Sequence, residues 1–126
     1  QWTILVSVAQ TPPSKNDVES YRGLHRAAHE GNGTALIAAA HLGHHEVVKR
    51  LIEGGTPLDI VNNLNWTALI EAVVLGDGGS DHVETLRALV EAGADQTITD
   101  REGVSPLEHA KARGYDEMVG ILEAAN

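Results

Sequence analysis

A short motif that returns at a fixed interval constrains this chain more than any other feature. Thr34-Ala-Leu-Ile-Ala-Ala-Ala40, Thr67-Ala-Leu-Ile-Glu-Ala-Val73 and Ser105-Pro-Leu-Glu-His-Ala-Lys111 align without gaps, and their starts lie 33 and then 38 residues apart. Each is followed by a glycine (Gly43, Gly76, Gly114) and by a second apolar-periodic stretch, over 46–52, 84–90 and 117–122. Aliphatic residues recur there at i, i+3 and i+4, the spacing of an amphipathic helix. Self-similarity at such a period marks a stacked array. One unit is too small to bury its own apolar face and must bury it against the next.

The residues of one unit predict its local structure. Thr or Ser caps a short helix, with Ala or Pro at its first position. Gly43, Gly76 or Gly114 ends that helix and turns the chain. A second helix runs back antiparallel and stops at Gly54-Gly55 or Gly93-Ala94, before a polar, extended segment leads to the next unit. Aromatics are only 3% of the chain and Phe is absent. The core is therefore expected from Ala, Leu, Val and Ile, which suits close-packed helices better than a β-sandwich.

Gly43-His-His-Glu-Val-Val48, Glu91-Ala-Gly-Ala-Asp95 and Asp100-Arg-Glu-Gly-Val-Ser-Pro-Leu107 carry a closer likeness. With the 33-residue period, they make the chain resemble the ankyrin repeat family. The resemblance implies an all-α fold, an ankyrin-repeat solenoid of helix–turn–helix units with short β-turn fingers. A less regular first unit fits the pattern as well. Thr3–Ala9 aligns with a first helix, and the stretch from Asn16 to Leu24 aligns with that from Asp81 to Leu89. The expected organisation is one domain, 1–126, with repeats at about 1–33, 34–66, 67–104 and 105–126. Asn16-x-x-Glu19 and Asp81-x-x-Glu84 read as capping boxes for second helices.

Several positions depart from the family pattern. The His of its Thr-Pro-Leu-His motif is replaced by Val6, Ile37, Ile70 and Glu108, so the usual His hydrogen-bond network between repeats is expected to be missing. Asn32 and Asn65 stand where the finger turn has Gly, and Asn is the residue other than Gly that best tolerates the left-handed region. An insertion around Gly76-Asp-Gly-Gly-Ser80 lengthens the third unit between its helices, and Thr11–Lys15 lengthens the first. Such inserts form surface loops. The finger between the first two units is short, or residues are missing there.

Composition excludes several classes of function. The net charge of −9 and the pI near 5.1 argue against a nucleic-acid binder, which presents a basic face. With no Cys there is no disulfide, Cys-ligated zinc or cysteine nucleophile. No apolar run approaches the ~20 residues of a membrane span, so no membrane partner is expected. The apolar start lacks a preceding basic region and makes a poor signal peptide. The first residue is Gln1, so the sequence reads as a piece of something longer. Compartment is not encoded, and the cytoplasm is the default expectation.

Chemistry-bearing clusters are few. His41, His44 and His45 fall at i, i+3 and i+4, a spacing that can hold zinc or nickel. Gly43 breaks the helix between them, however, and surface histidines are the expected reading. Asp77-Gly-Gly-Ser-Asp81 lacks the alternating oxygen ligands and terminal Glu of a calcium loop, and reads as a loop with Asp81 capping the next helix. No nucleophile–base pair or phosphate-binding loop is present. Neither catalysis nor a cofactor is expected.

What remains is a surface. The resemblance places the partner contacts on the finger tips and the ends of the first helices. Carried over position by position, these are Glu30, Gly31, Gly33, Asn63, Leu64, Trp66, Arg101, Glu102 and Val104 from fingers. The helix ends add His41, Leu42, Val74, Leu75, Ala112 and Arg113. Leu64 and Trp66 would be an apolar anchor, Trp being the type most enriched at binding hot spots. Glu30, Arg101 and Glu102 would be its polar rim. The expected function is binding of a protein partner. The alternatives are a structural or regulatory domain of a larger protein, or a metal or small-ligand binder at His41, His44 and His45. Trp2, Ile4, Leu5, Val6 and Val8 crowd the first unit with apolar side chains, and another copy of the chain or upstream repeats are expected to cover it.

Overall fold

The computed structural model describes residues 34–125. Six helices run through these residues: α1 (Thr34–Leu42), α2 (His45–Glu53), α3 (Ala68–Val74), α4 (Ser80–Glu91), α5 (Pro106–Arg113) and α6 (Asp116–Ala124). No strand is present among the described residues. The helices pair in sequence as α1–α2, α3–α4 and α5–α6, and the pairs stack in register. One row is made by α1, α3 and α5, each packed on the next, and the other by α2, α4 and α6. The expected all-α solenoid of helix–turn–helix units is what the chain builds. Its first unit, including the apolar cluster from Trp2 to Val8, the Asn16 capping box, the Thr11–Lys15 insert, the Asn32 turn and the short first finger, lies outside the described residues.

The motif that recurs in the sequence is the row of first helices. Ala39, Ala40, Ala68, Ala72 and Ala110 are fully buried, and their small side chains let successive helices approach closely. Leu36 and Leu69 fill the space beside them, and Val48, Leu86 and Met118 come across from the second row. Leu51, Leu89 and Leu122 complete one continuous apolar layer. A core of Ala, Leu, Val and Ile, with one Met, is the composition expected of it.

The helix ends follow local chemistry. The Thr67 hydroxyl accepts from the Ile70 amide, and Ser105 forms a reciprocal capping box with Glu108, with Pro106 at the first helical position. Glu108, which stands in place of the family histidine, thus serves as a cap. Helices α1, α2, α4 and α5 all close with one pattern of two backbone bonds. At α1, Gly43 N–H donates to Ala40 O and His44 N–H to Ala39 O; at α5, Gly114 and Tyr115 donate to Lys111 and Ala110. This is the Schellman turn, and it needs a left-handed residue, here glycine with φ near +71° in both cases.

The third unit breaks that rule, and two expectations change there. Helix α3 stops at Leu75 in a right-handed conformation, and Gly76 is not the left-handed turn residue; Gly78 is, inside the inserted loop. Gly76 is required for space. A Cβ there would sit 2.6 Å from the Ala72 carbonyl oxygen and 2.5 Å from the His82 ring. Nor does Asp81 cap α4: the helix already begins at Ser80, with Gly79 as its cap residue and no side-chain bond. The insert moves the start of α4 two residues upstream of the start that an Asp81 cap would give. Asp77 Oδ1 instead accepts from Gly79 N–H at 2.8 Å and shapes the loop that leads into it.

Two glycines separate these roles experimentally. Gly76→Ala is expected to destabilise the domain by about 1–3 kcal/mol, since the carbonyl oxygen beside it is backbone and cannot move aside. Gly120, inside α6, has nothing within 4 Å of a built Cβ. Gly120→Ala is expected to stabilise by about 0.5–1 kcal/mol, the entropy of a mid-helix glycine. Urea melts of both variants against wild type check the pair.

Candidate functional site

The fingers between units share one construction. Asn62 Oδ1 accepts from the amides of Leu64 at 2.9 Å and Trp66 at 3.1 Å. Asp100 Oδ1 accepts from Glu102 at 3.0 Å and Val104 at 2.9 Å. Backbone bonds close each finger, from Asn62 N–H to Trp66 O and from Asp100 N–H to Val104 O. The turn residue is left-handed in both, Asn65 at φ 64° and Gly103 at φ 79°. Asn therefore does support this turn in place of Gly, as expected from sequence.

The same two side chains fasten each finger to its first helix. Asn62 Nδ2 donates to Glu71 Oε2 at 2.7 Å, and His109 Nε2 lies 2.7 Å from Asp100 Oδ2. Both bonds span nine residues. Glu71 and His109 occupy equivalent helix positions, so the donor sits on the finger in one unit and on the helix in the next. Glu71 is 4% exposed, and its other oxygen lies 3.3 Å from His41 Nδ1 of the preceding unit. His109 Nδ1 lies 3.2 Å from Arg113 Nη1. With the proton on Nε2, the imidazole donates to Asp100 and accepts from Arg113.

Polar bonds also cross between units, by routes other than the family's His network. They do not use the motif's fourth position. Asn65 Nδ2 donates to Thr99 O at 2.9 Å, Asp95 N–H to Asp59 Oδ1 at 2.9 Å, and Arg101 Nη2 to Asn63 O. On the opposite edge, His82 Nε2 lies 3.0 Å from His41 O and the Tyr115 hydroxyl lies 3.4 Å from Gly76 O. The finger edge and the loop edge of the stack are both strapped.

The residues singled out from sequence fall into distinct groups. Leu42, Leu75 and Leu64 are exposed, at 46%, 44% and 51%, although each is large and apolar. His41, Asn63, Arg101, Glu102, Ala112 and Arg113 are also exposed, and Val74 and Val104 are half-buried. Trp66 is half-buried too, so Leu64 presents more of itself to solvent. Glu30, Gly31 and Gly33 lie outside the described residues. Sequence reasoning passed over Asn62, Glu71, Asp100 and His109. Their signal was available in the repeated nine-residue spacing between finger and helix.

The histidine cluster does not assemble. His41 turns to Glu71, whereas His45 lies 3.4 Å from Glu46 and 3.7 Å from Asp81. His44 and His45 line a shallow cleft of about 210 Å³ with Gly43, Glu46, Val47 and Asp81. Among the described residues no three His, Asp or Glu side chains converge as a metal would require. The structure gives the metal-binding alternative no site at these three residues.

Stacked helix–turn–helix units with strapped fingers define the chain as a solenoid repeat protein. Comparison with known proteins gives the family: residues 14–100 match the model for ankyrin repeats in three copies. The chain belongs to the ankyrin repeat family. It is 39% identical over 95 residues to the putative ankyrin repeat protein YahD of Escherichia coli K12, covering 74% of this chain and 47% of that one. An ankyrin repeat domain of Acinetobacter baumannii AYE, ABAYE2397, superposes with a TM-score of 0.71 at 46% identity, over 72% of this chain and 46% of that one. The ankyrin repeat protein EF0377 gives a TM-score of 0.71 at 42% identity, over 73% and 47%. The chain thus spans about half the length of these relatives.

Asp100 makes the finger sensitive to acid. The Val104 amide, with further help from His109 and the Glu102 amide, holds its carboxyl below the ordinary aspartate value against the opposing effect of burial. A depressed folded-state pKa gives stability that is present above the unfolded value, about 3.9 for Asp. That stability is lost as pH falls through the folded value. Asp100→Asn keeps an oxygen for the two amides, as Asn62 does. The melting temperature of this variant is expected to fall less steeply than that of wild type below about pH 4. Thermal melts from pH 6 to pH 2.5 measure the two slopes.

Proposed function

We propose that the chain is a non-catalytic module that binds a protein partner through the face made by its finger tips and first-helix ends. Ankyrin repeats in general mediate protein–protein interaction. The same repeats also form small parts of larger enzymes among the relatives, so the absence of catalysis belongs to the proposal. One observation carries the reading. Leu42 and Leu75, at equivalent places in successive units, and Leu64 in the finger between those units are all solvent-exposed. Large aliphatic side chains left in water are the usual core of a recognition surface. Asn63, Trp66, His41, Arg101, Glu102 and Arg113 would complete the contact.

The chemistry of the His109–Asp100 pair supports a structural role and not catalysis. Asp100 is engaged by two amides as well as by the imidazole, and the second imidazole nitrogen meets Arg113. The Ser105 hydroxyl is committed to the Glu108 amide. The Thr99 hydroxyl donates to the Asp100 carbonyl oxygen, so among the described residues neither of these hydroxyls is oriented as a nucleophile by the pair.

Binding and folding separate on mutation. Leu42→Ser/Leu75→Ser is expected to leave the melting temperature nearly unchanged and to abolish retention of partners from a lysate of the source cell. Leu69→Ala, in the core, is expected to cost roughly 2–5 kcal/mol of stability. Trp66→Ala is expected to lose about 2 kcal/mol or more of partner affinity, the hot-spot scale, with a smaller loss of stability than Leu69→Ala. Partners that bind the double variant as well as wild type would overturn the assignment of the face.

A further inference from the structure

The cations of the described residues are used unequally. Lys49 pairs with Glu46, Arg87 with Glu84 and Glu117, and Lys111 with Glu123. Arg101 and Arg113 have no carboxylate partner within 4 Å among the described residues. Their bonds run to Asn63 O and to His109 Nδ1 and O. Arg50 on α2 shares this property, but it stands on the other row. Three carboxylates of the first-helix row and its fingers are already engaged. Asp100 is spent on two amides and His109, Glu71 on Asn62 and His41, and Glu108 on the Ser105 amide. Glu102, next to Arg101 in the chain, and Asp116, three residues after Arg113, are exposed and pair with neither arginine. Most acidic side chains of the helices lie instead on the second row, among them Asp81, Glu84, Glu91, Asp116, Glu117 and Glu123.

Arg113 stands at the position of its unit equivalent to Leu75 and Leu42, and Arg101 bonds the finger that carries Leu64, so the face carries two guanidinium groups held by acceptors other than carboxylates, with N–H donors left to spare. Guanidinium matches a carboxylate in a two-pronged bond better than any other side chain. Building on the protein-binding reading above, we propose that the partner element is an acidic, aliphatic segment of another protein. Its Leu, Ile or Val side chains rest on Leu42, Leu75 and Leu64, and its Asp or Glu side chains reach Arg101 and Arg113. The net charge of −9 does not oppose this at physiological salt, where charges more than ~8 Å apart are largely screened. Packed helices of successive units lie about 8–10 Å apart, so the segment offers one aliphatic side chain per unit at that interval.

The test is selection of a random dodecapeptide display library on the full 126-residue chain. Selected sequences are expected to combine aliphatic residues with Asp or Glu in excess of Lys and Arg. Synthetic copies are expected to bind Arg101→Gln/Arg113→Gln roughly three- to tenfold more weakly than wild type, the scale of two exposed charge pairs. Arg101→Lys/Arg113→Lys, which keeps the charge, is expected to recover part of that loss. Affinity for wild type is expected to fall as NaCl rises from 50 to 300 mM, a reading that needs no variant. Basic or uncharged selected peptides, or acidic ones indifferent to both salt and the glutamine variant, overturn the proposal while leaving a protein-binding face intact. Selection no better on wild type than on Leu42→Ser/Leu64→Ser/Leu75→Ser overturns the face and the proposal together.

Discussion

The bond between a finger and the helix that follows it is the contact on which the rest of this stack depends. One side chain, Asn62 or Asp100, folds its own turn with one oxygen and grips a helix nine residues on with its other polar atom. Both functions are local in sequence, so they can form before the units stack. Once made, they fix the angle between finger and helix. In that geometry Asn65, Asp59 and Arg101 bond the neighbouring unit. Apolar burial supplies most of the driving force, as in any helical array. The clamp decides the geometry in which that burial happens.

Much of the fold was legible because the signal repeats. A single Thr-Ala-Leu-Ile string means little, but three such strings followed by glycine and an amphipathic stretch specify a helix pair and its stacking direction. The caps at Thr67 and Ser105 and the left-handed Asn65 were likewise readable, because each rests on a local preference of one residue type. The Asp81 cap failed for a physical reason. The insert before α4 lets Ser80 enter the helix, and it leaves Asp81 in the first turn, two positions too far in to cap. Gly76 failed in a related way. Its place in the alignment matches Gly43, yet the longer loop moves the left-handed residue to Gly78 and leaves at Gly76 the need for room beside the Ala72 carbonyl and His82.

The candidate surface was legible by position and less so by chemistry. Leu42, Leu64 and Leu75 are exposed where the repeat pattern puts them. Sequence could not show that Trp66 is half-buried, because that depends on tertiary packing. Nor could it show which arginines keep a carboxylate. Lys111 and Arg113 are two residues apart on α5, and one finds Glu123 while the other turns to His109. Charge composition describes the whole chain, whereas recognition depends on the charges that folding leaves uncommitted.

The alternation of donor and acceptor in the clamp bears on how arrays like this one can be rearranged. Asn62 faces Glu71, and Asp100 faces His109. A crossover falling inside either nine-residue span would set Asp against Glu, two anions at hydrogen-bond distance, or Asn against His with neither orientation fixed. A crossover in a second helix would carry each matched pair across whole. The inheritable block in this protein is therefore a finger with the helix behind it. Its natural seams lie in the outer row, offset from the seams that the repeated heptapeptide suggests to the eye.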